Sequence, residues 1–189
     1  MAIHLVQYNP EIPQNTGNIM RTCAATDIKL HLIKPMGFSL DEKSIKRSGA
    51  NYVNEVDYTV YENWDEFVEK NKGGKFCFCT RYGQKNHAQM DFSNPKEDYY
   101  IILGAESSGI PKEILRPYFE NCFRVPMTNK VRSLNVSNVA AILAYEALRQ
   151  QEFLDLWTVE PFKGADWVLR DEEWLKKCCL GNTFLICNY

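Results

Sequence analysis

Short apolar runs recur along this chain, separated by stretches of helical or turn character, and that succession constrains the fold more than any other feature. Ile3-His-Leu-Val-Gln-Tyr8, Lys29-Leu-His-Leu-Ile33, Tyr58-Thr-Val60, Lys75-Phe-Cys-Phe-Cys-Thr80, Tyr99-Tyr-Ile-Ile-Leu103 and Cys122-Phe-Arg-Val125 read as strands. They are runs rather than strict apolar–polar alternations, which is how strands covered on both faces read. Between them, Asn15-Thr-Gly-Asn-Ile-Met-Arg-Thr-Cys-Ala-Ala-Thr26 reads as a loop entering a helix, with Asn15 or Thr16 as N-cap. Residues 41–47 read as a short helix with Lys43, Lys46 and Arg47 on one face, residues 64–70 as a weak helix, and Pro111 opens another helix at a position where proline is welcome. The last helix lies within Leu134-Asn-Val-Ser-Asn-Val-Ala-Ala-Ile-Leu-Ala-Tyr-Glu-Ala-Leu-Arg-Gln150. There Val139, Ile142, Leu143 and Leu148 recur at near-helical spacing, while Ser133, Asn135, Ser137 and Asn138 favour caps and turns. The alternation predicts an α/β fold, a mostly parallel sheet with helices on both faces.

The chain has 189 residues, 45% of them hydrophobic, enough for one domain with a real core and only marginally for two. Net charge is −2, so any contact with nucleic acid must use local basic patches. The 7 cysteines are scattered, and no signal-peptide pattern follows Met1, so a disulfide scaffold is not expected. The longest apolar run, residues 139–145, is far too short to span a membrane. These features read as a reduced, cytoplasmic protein. A boundary falls near Gln151, which divides the chain into a domain over 1–155 and a C-terminal extension over 156–189. The extension carries Trp157, Trp167 and Trp174 and a predicted helix over 166–177, and no function is legible in it.

Three polar turns, the first two glycine-bearing, fall where a parallel sheet keeps its ligands, just after strand ends. They are Asn15-Thr-Gly-Asn18 with Arg21 one turn later, Leu103-Gly-Ala-Glu-Ser-Ser-Gly-Ile-Pro111, and Pro126-Met-Thr-Asn-Lys-Val-Arg-Ser133 running into Asn135. Common nucleotide motifs fail. Gly104 and Gly109 have P-loop spacing, but Ile110-Pro111 stands where a lysine and a hydroxyl residue must be. No G-x-G-x-x-G follows the first strand, and the second ends in Ile33-Lys34-Pro35 without a ribose-binding carboxylate. His4, His31 and His87 share no helix face, and Cys77-x-Cys79 lies within a strand, so no metal site is expected.

Taken together, the motifs Asn15-Thr-Gly-Asn-Ile-Met-Arg21, Leu103-Gly-Ala-Glu-Ser-Ser-Gly-Ile-Pro111 and Val131-Arg-Ser-Leu-Asn-Val-Ser-Asn138 resemble those of the SpoU branch of the SPOUT RNA methyltransferases. Pro10-Glu-Ile-Pro-Gln-Asn-Thr-Gly-Asn18, Pro35-Met-Gly-Phe38 and Tyr145-Glu-Ala-Leu-Arg-Gln150 narrow the resemblance to the short TrmL-like (YibK-like) tRNA wobble-nucleotide 2′-O-methyltransferases. The second motif opens with Leu103 where the family usually has phenylalanine. The resemblance covers residues 1–155 and implies a trefoil knot in the carboxyl half of the sheet. It also implies S-adenosylmethionine as methyl donor, with S-adenosylhomocysteine as product, and a homodimer with the site at the subunit interface. Carried over residue by residue, Cys79, Thr80, Gly104, Val125, Ser133 and Leu134 would hold the cofactor. Asn18, Arg21, Glu106, Ser133 and Asn135 would line the reacting centre, and Lys43, Lys46, Arg47, Arg132 and Tyr145 would meet tRNA. A guanidinium keeps its proton in proteins, so Arg21 is expected to clamp a phosphate and stabilise a developing alkoxide rather than act as base. The alternatives are a SpoU-type enzyme for another tRNA or rRNA position, and a non-catalytic RNA-binding knot protein.

Overall fold

The computed structural model describes residues 3–40 and 55–169. The predicted helix with Lys43, Lys46 and Arg47, and all but the start of the predicted helix 166–177, lie outside these. Seven strands form one sheet among the described residues: β1 (Ile3–Tyr8), β2 (Lys29–Ile33), β3 (Tyr58–Tyr61), β4 (Lys75–Cys79), β5 (Lys85–Asn86), β6 (Tyr99–Leu103) and β7 (Cys122–Arg124). Their order is β3-β2-β1-β6-β4-β7-β5, and every pairing is parallel, as the apolar runs predict. The two-residue strand β5 carries no apolar run and is not legible in the sequence.

Four α-helices accompany the described sheet: α1 (Pro13–Thr26), α2 (Trp64–Lys70), α3 (Lys112–Leu115) and α4 (Val136–Gln150). One face of the sheet presents Val6, Phe76, Phe78, Tyr100 and Ile102, and α2 and the segment 114–118 cover it with Trp64, Phe67, Ile114 and Tyr118. On this side the rings of Phe67, Phe76 and Tyr100 lie 5.5–5.6 Å apart, close enough for edge-to-face contact. Helices α1 and α4 pack together and against β2, β1 and β6. Ala140, Ala144 and Ala147 of α4 are fully buried in this packing. Small side chains at these positions let helix and sheet backbones approach closely.

The first motif corrects the sequence expectation. It is not a turn, because α1 begins at Pro13, and the N-cap is Ile12, not Asn15 or Thr16. Proline suits the first helical position, where its missing N–H is one of the unpaired ones and its φ is already helical. The Asn15 side chain is thereby released from capping, and it is buried. Pro111 is likewise the N-cap of α3 rather than its first residue. The chain clusters into two compact units, Met1–Leu154 and Asp155–Tyr189. In the second, the described residues form turns and a short 3-10 helix, Trp167–Leu169.

Candidate active site

A cleft of about 580 Å³ opens at the carboxyl ends of β4, β6 and β7. Connections beyond strand ends are where parallel sheets hold ligands. The cleft is bordered by Cys79 and Thr80 after β4, the loop 103–110 after β6, Val125 after β7, and residues 132–136 leading into α4. Cys79, Thr80, Gly104, Glu106, Val125, Arg132, Ser133, Leu134 and Asn135 of the sequence-derived set therefore meet at one place. Asn18, Arg21 and Tyr145 do not border it. Asn18 and Arg21 are exposed on α1, and Tyr145 is 48% exposed on α4, so it is not a packed core tyrosine.

The loop 103–110 owes its shape to two glycines. Ala105 and Gly109 exchange both backbone hydrogen bonds, at 3.2 and 2.9 Å, and Gly109 has φ 74°, which glycine adopts without strain. A Cβ on Gly104 would lie 2.5 Å from the Gly109 carbonyl carbon. The close approach that Gly104 permits is therefore that of its own loop, not that of a ligand as its place in the motif suggests.

A chain of hydrogen bonds joins the three motifs. Asn15 Nδ2 donates to Glu106 Oε1 at 2.8 Å, and Asn135 Nδ2 donates to Asn15 Oδ1 at 3.0 Å. Asn135 Oδ1 accepts from the Ser137 amide and hydroxyl at 2.9 and 2.6 Å, which caps α4. The direction of this relay follows from its first member. An ionised carboxylate only accepts, so Asn15 must turn its nitrogen to Glu106 and its oxygen to Asn135. Asn135 must then offer its nitrogen, which leaves its oxygen for the cap. The other oxygen of Glu106 accepts from the Glu11 amide at 2.9 Å. Glu11 returns the tie, its carboxylate accepting from the Ser107 amide and hydroxyl at 2.8 and 2.6 Å. These bonds hold the Glu11 carboxyl below its usual range. Glu106 thus straps the second motif to the first. Asn15 and Ser107 border the cleft and Glu11 braces its loop, although sequence reasoning did not place them there, and their signal lay in the polar spacing around residues 10–18 and 104–109.

Leu103, Ile110, Val125, Met127, Leu134 and Val139 supply apolar surface to the cleft walls, beside polar and charged groups. The volume lies within the range of about 300–1,000 Å³ typical of small-molecule sites. The Cys79 thiol is pushed up to about 12 by burial, as are those of Cys23 and Cys77, which favours the protonated thiol over the reactive thiolate at all three. Among the described residues no cluster of histidine, cysteine or carboxylate side chains is arranged to bind a metal, and no helix is long and apolar enough to cross a membrane. Of the surrounding cations, Arg81, Arg124 and Arg132 border the cleft. Lys34 pairs with Glu62 at 2.7 Å, and Lys85 donates to the Glu120 carbonyl at 2.9 Å.

Comparison with known proteins places the architecture. Residues 2–145 match the SpoU rRNA Methylase family. The chain belongs to this family. A Listeria monocytogenes protein described as a candidate tRNA (cytidine(34)-2′-O)-methyltransferase is 54% identical over 153 residues, 81% of this chain and 90% of its own. The tRNA (cytidine(34)-2′-O)-methyltransferase of Saccharophagus degradans is 40% identical over 151 residues, 79% of this chain and 96% of its own. The crystal structure of a candidate RNA methyltransferase from Bacillus anthracis superposes with a TM-score of 0.78 at 53% identity, covering 82% of this chain and 97% of that one. A more distant SpoU methyltransferase, AviRb from Streptomyces viridochromogenes in complex with AdoMet, shares the fold with a TM-score of 0.67 at 22% identity, covering 79% of this chain and 57% of its own. This SpoU domain therefore brings Asn15, Glu106 and Asn135, one residue from each of the three motifs, together at one cleft.

Proposed function

We propose that this SpoU-family chain is a tRNA 2′-O-methyltransferase that acts on the wobble nucleotide, cytidine 34, of the anticodon loop. The observation that carries the reading is the meeting of Asn15, Glu106 and Asn135, one from each motif, in a chain so similar to enzymes named for that reaction. When bound, S-adenosylmethionine supplies a sulfonium methyl group for the ribose 2′-hydroxyl. Its holding residues in this reading are Cys79, Thr80, Gly104, Val125, Ser133 and Leu134, which offer backbone groups and apolar wall. The chain's task is alignment of the hydroxyl with the methyl group. Arg21 clamps the adjoining phosphate and stabilises charge developing on the 2′-oxygen, and Ser133 holds a neighbouring group. Asn18 lines the reacting centre, whereas Glu106 and Asn135 hold the loops in register.

The reading includes a homodimer. Neither Asn18 nor Arg21 borders the cleft of its own chain; in this reading they complete the partner's site across an interface that includes α1. Ile142 leaves α4 with exposed apolar surface, 39% accessible, which supports α4 beside α1 in that interface. It also includes the trefoil knot of the family in the carboxyl half of the sheet, a methyltransferase domain over 1–155, and an extension of separate role over 156–189. Lys43, Lys46, Arg47 and Arg132 are assigned to tRNA phosphates, and Tyr145 to the nucleotide. Incubation with labelled S-adenosylmethionine and total tRNA, followed by mapping of the methylated nucleotide, tests the reaction. Label at a 2′-hydroxyl of position 34 is expected. Label at another tRNA position, or none in tRNA, would assign the enzyme elsewhere within the family.

A further inference from the structure

We propose that Tyr82 is a stacking platform for an unpaired RNA base that flanks the target nucleotide. The proposal rests on the reading of this chain as an RNA methyltransferase, and it adds a residue that selects and seats the substrate. Tyr82 is 60% exposed and borders the cleft. The Arg81 guanidinium lies over its ring, 4.7 Å from the centroid, and donates to its hydroxyl. The ring is thus backed by a cation and tethered at its edge. Its phenol is held below the usual range by that hydrogen bond, with the charges of Arg81, Lys112 and Arg132 acting in the same sense. These cations come from separate parts of the chain: the turn after β4, the start of α3 and the segment before α4.

The turn that carries Tyr82 is seated firmly. The Thr80 amide donates to the Phe123 carbonyl at 2.9 Å, and the Gly83 amide to the Thr80 carbonyl at 3.0 Å. A Cβ on Gly83 would lie 2.3 Å from the Phe123 carbonyl carbon, so the turn is pressed onto β7 where only glycine fits. A fixed aromatic plane costs little entropy to use. Surrounded by cations, it complements a flat base attached to a phosphate, and an anticodon loop presents such bases unpaired.

The test uses an anticodon stem-loop RNA with 2-aminopurine, or an abasic site, in turn at each position flanking the target. Tyr82→Leu should raise KM for the RNA roughly 5- to 150-fold, the range expected for loss of one stacked base, while kcat and cofactor affinity stay near wild type. Tyr82→Phe should stay much closer to wild type than Tyr82→Leu, because it keeps the stacking ring and loses only the tether to Arg81. Quenching of 2-aminopurine at one flanking position should accompany binding to the wild-type protein and be lost in Tyr82→Leu. The abasic RNA should bind the wild-type protein as weakly as the intact RNA binds the leucine variant. Wild-type KM for Tyr82→Leu, or unquenched 2-aminopurine at both positions, would overturn the platform. Because quenching is read without methyl transfer, Tyr82-dependent binding of an RNA that stays unmethylated would keep the platform and remove the substrate assignment instead.

Discussion

Asn15 shows how one side chain takes its role from its neighbours. Its amide bridges Glu106 and Asn135, and only the carboxamide has a donor for one and an acceptor for the other. Asn15→Asp keeps the shape and reverses the chemistry, setting a second carboxylate 2.8 Å from Glu106 in a buried place. We expect a loss of about 1.5–3 kcal/mol, the range for hydrogen bonds to charged groups, measured by urea unfolding at neutral pH. Methyl transfer should fall more than in Asn15→Leu, which removes the donor without adding charge. Arg21 makes the opposite case, because it is exposed on α1 and its assignment rests on the family motif. Arg21→Ala should keep the fold and cofactor binding but lose on the order of 10²–10³-fold in single-turnover rate, as expected for an oxyanion-type donor. Arg21→Lys should recover little, since a point charge does not replace a planar bidentate donor. Near-wild-type transfer by Arg21→Ala would return the residue to ordinary surface.

At the scale of elements, the loop 103–110 is the sensitive part. A valine at Gly104 would be expected to fill the cleft and spare the fold if the residue faced only a ligand. The structure predicts otherwise: even Gly104→Ala should push the Gly109 backbone away, because the new Cβ lies 2.5 Å from it. Overpacking of this kind costs about 1–3 kcal/mol. Cofactor affinity and the unfolding midpoint should therefore fall together, and a titration alongside urea unfolding would show whether they do. An unchanged midpoint with lost affinity would mean that the loop yields more easily than its hydrogen bonds imply. The entry to α4 is sensitive for a related reason. Asn135 caps the helix and ends the relay, so helix start and cleft wall move together.

The whole molecule carries a pH dependence unrelated to the cleft. His31 on β2 is 2% exposed; its Nδ1 lies 2.8 Å from the Tyr61 hydroxyl, and its Nε2 3.2 Å from His4 Nδ1. Burial pushes its imidazole down to about 3, and the charges of His4 and Lys29 act in the same direction. His4 is also lowered by burial, although Asp98 opposes it. The fold thus holds His31 neutral, whereas the unfolded chain binds the proton near pH 6.5. Stability from this source is fully present above that value and is lost as pH falls toward 3, by up to about 1.4 kcal/mol per pH unit. The urea midpoint should decline between pH 7 and 5, and His31→Phe should flatten the decline even if it lowers the midpoint at pH 7. At the same scale, sedimentation at assay concentration should show a homodimer. A stable and fully active monomer would remove the shared-site reading of Arg21.

The strands and the parallel class of this protein were legible in its sequence because strands buried on both faces need continuous apolar runs, as in Tyr99-Tyr-Ile-Ile-Leu103. The cleft-lining residues of the second and third motifs were legible because polar turns just after strand ends fall where a parallel sheet holds its ligands. Other features depended on three-dimensional contact. Strand β5 exists only because Lys85 and Asn86 meet β7, and nothing in two polar residues announces a strand. The helical start of the first motif turned on Pro13 taking the first helical position, which freed Asn15 from the capping role its residue type suggests. The partners of Asn15 lie 91 and 120 residues away and Ser107, which donates to the Glu11 carboxylate, 96, so the setting of each depends on a distant loop folding back upon it. A local pattern records what a residue can bond to, whereas tertiary packing decides which partner is within 3 Å.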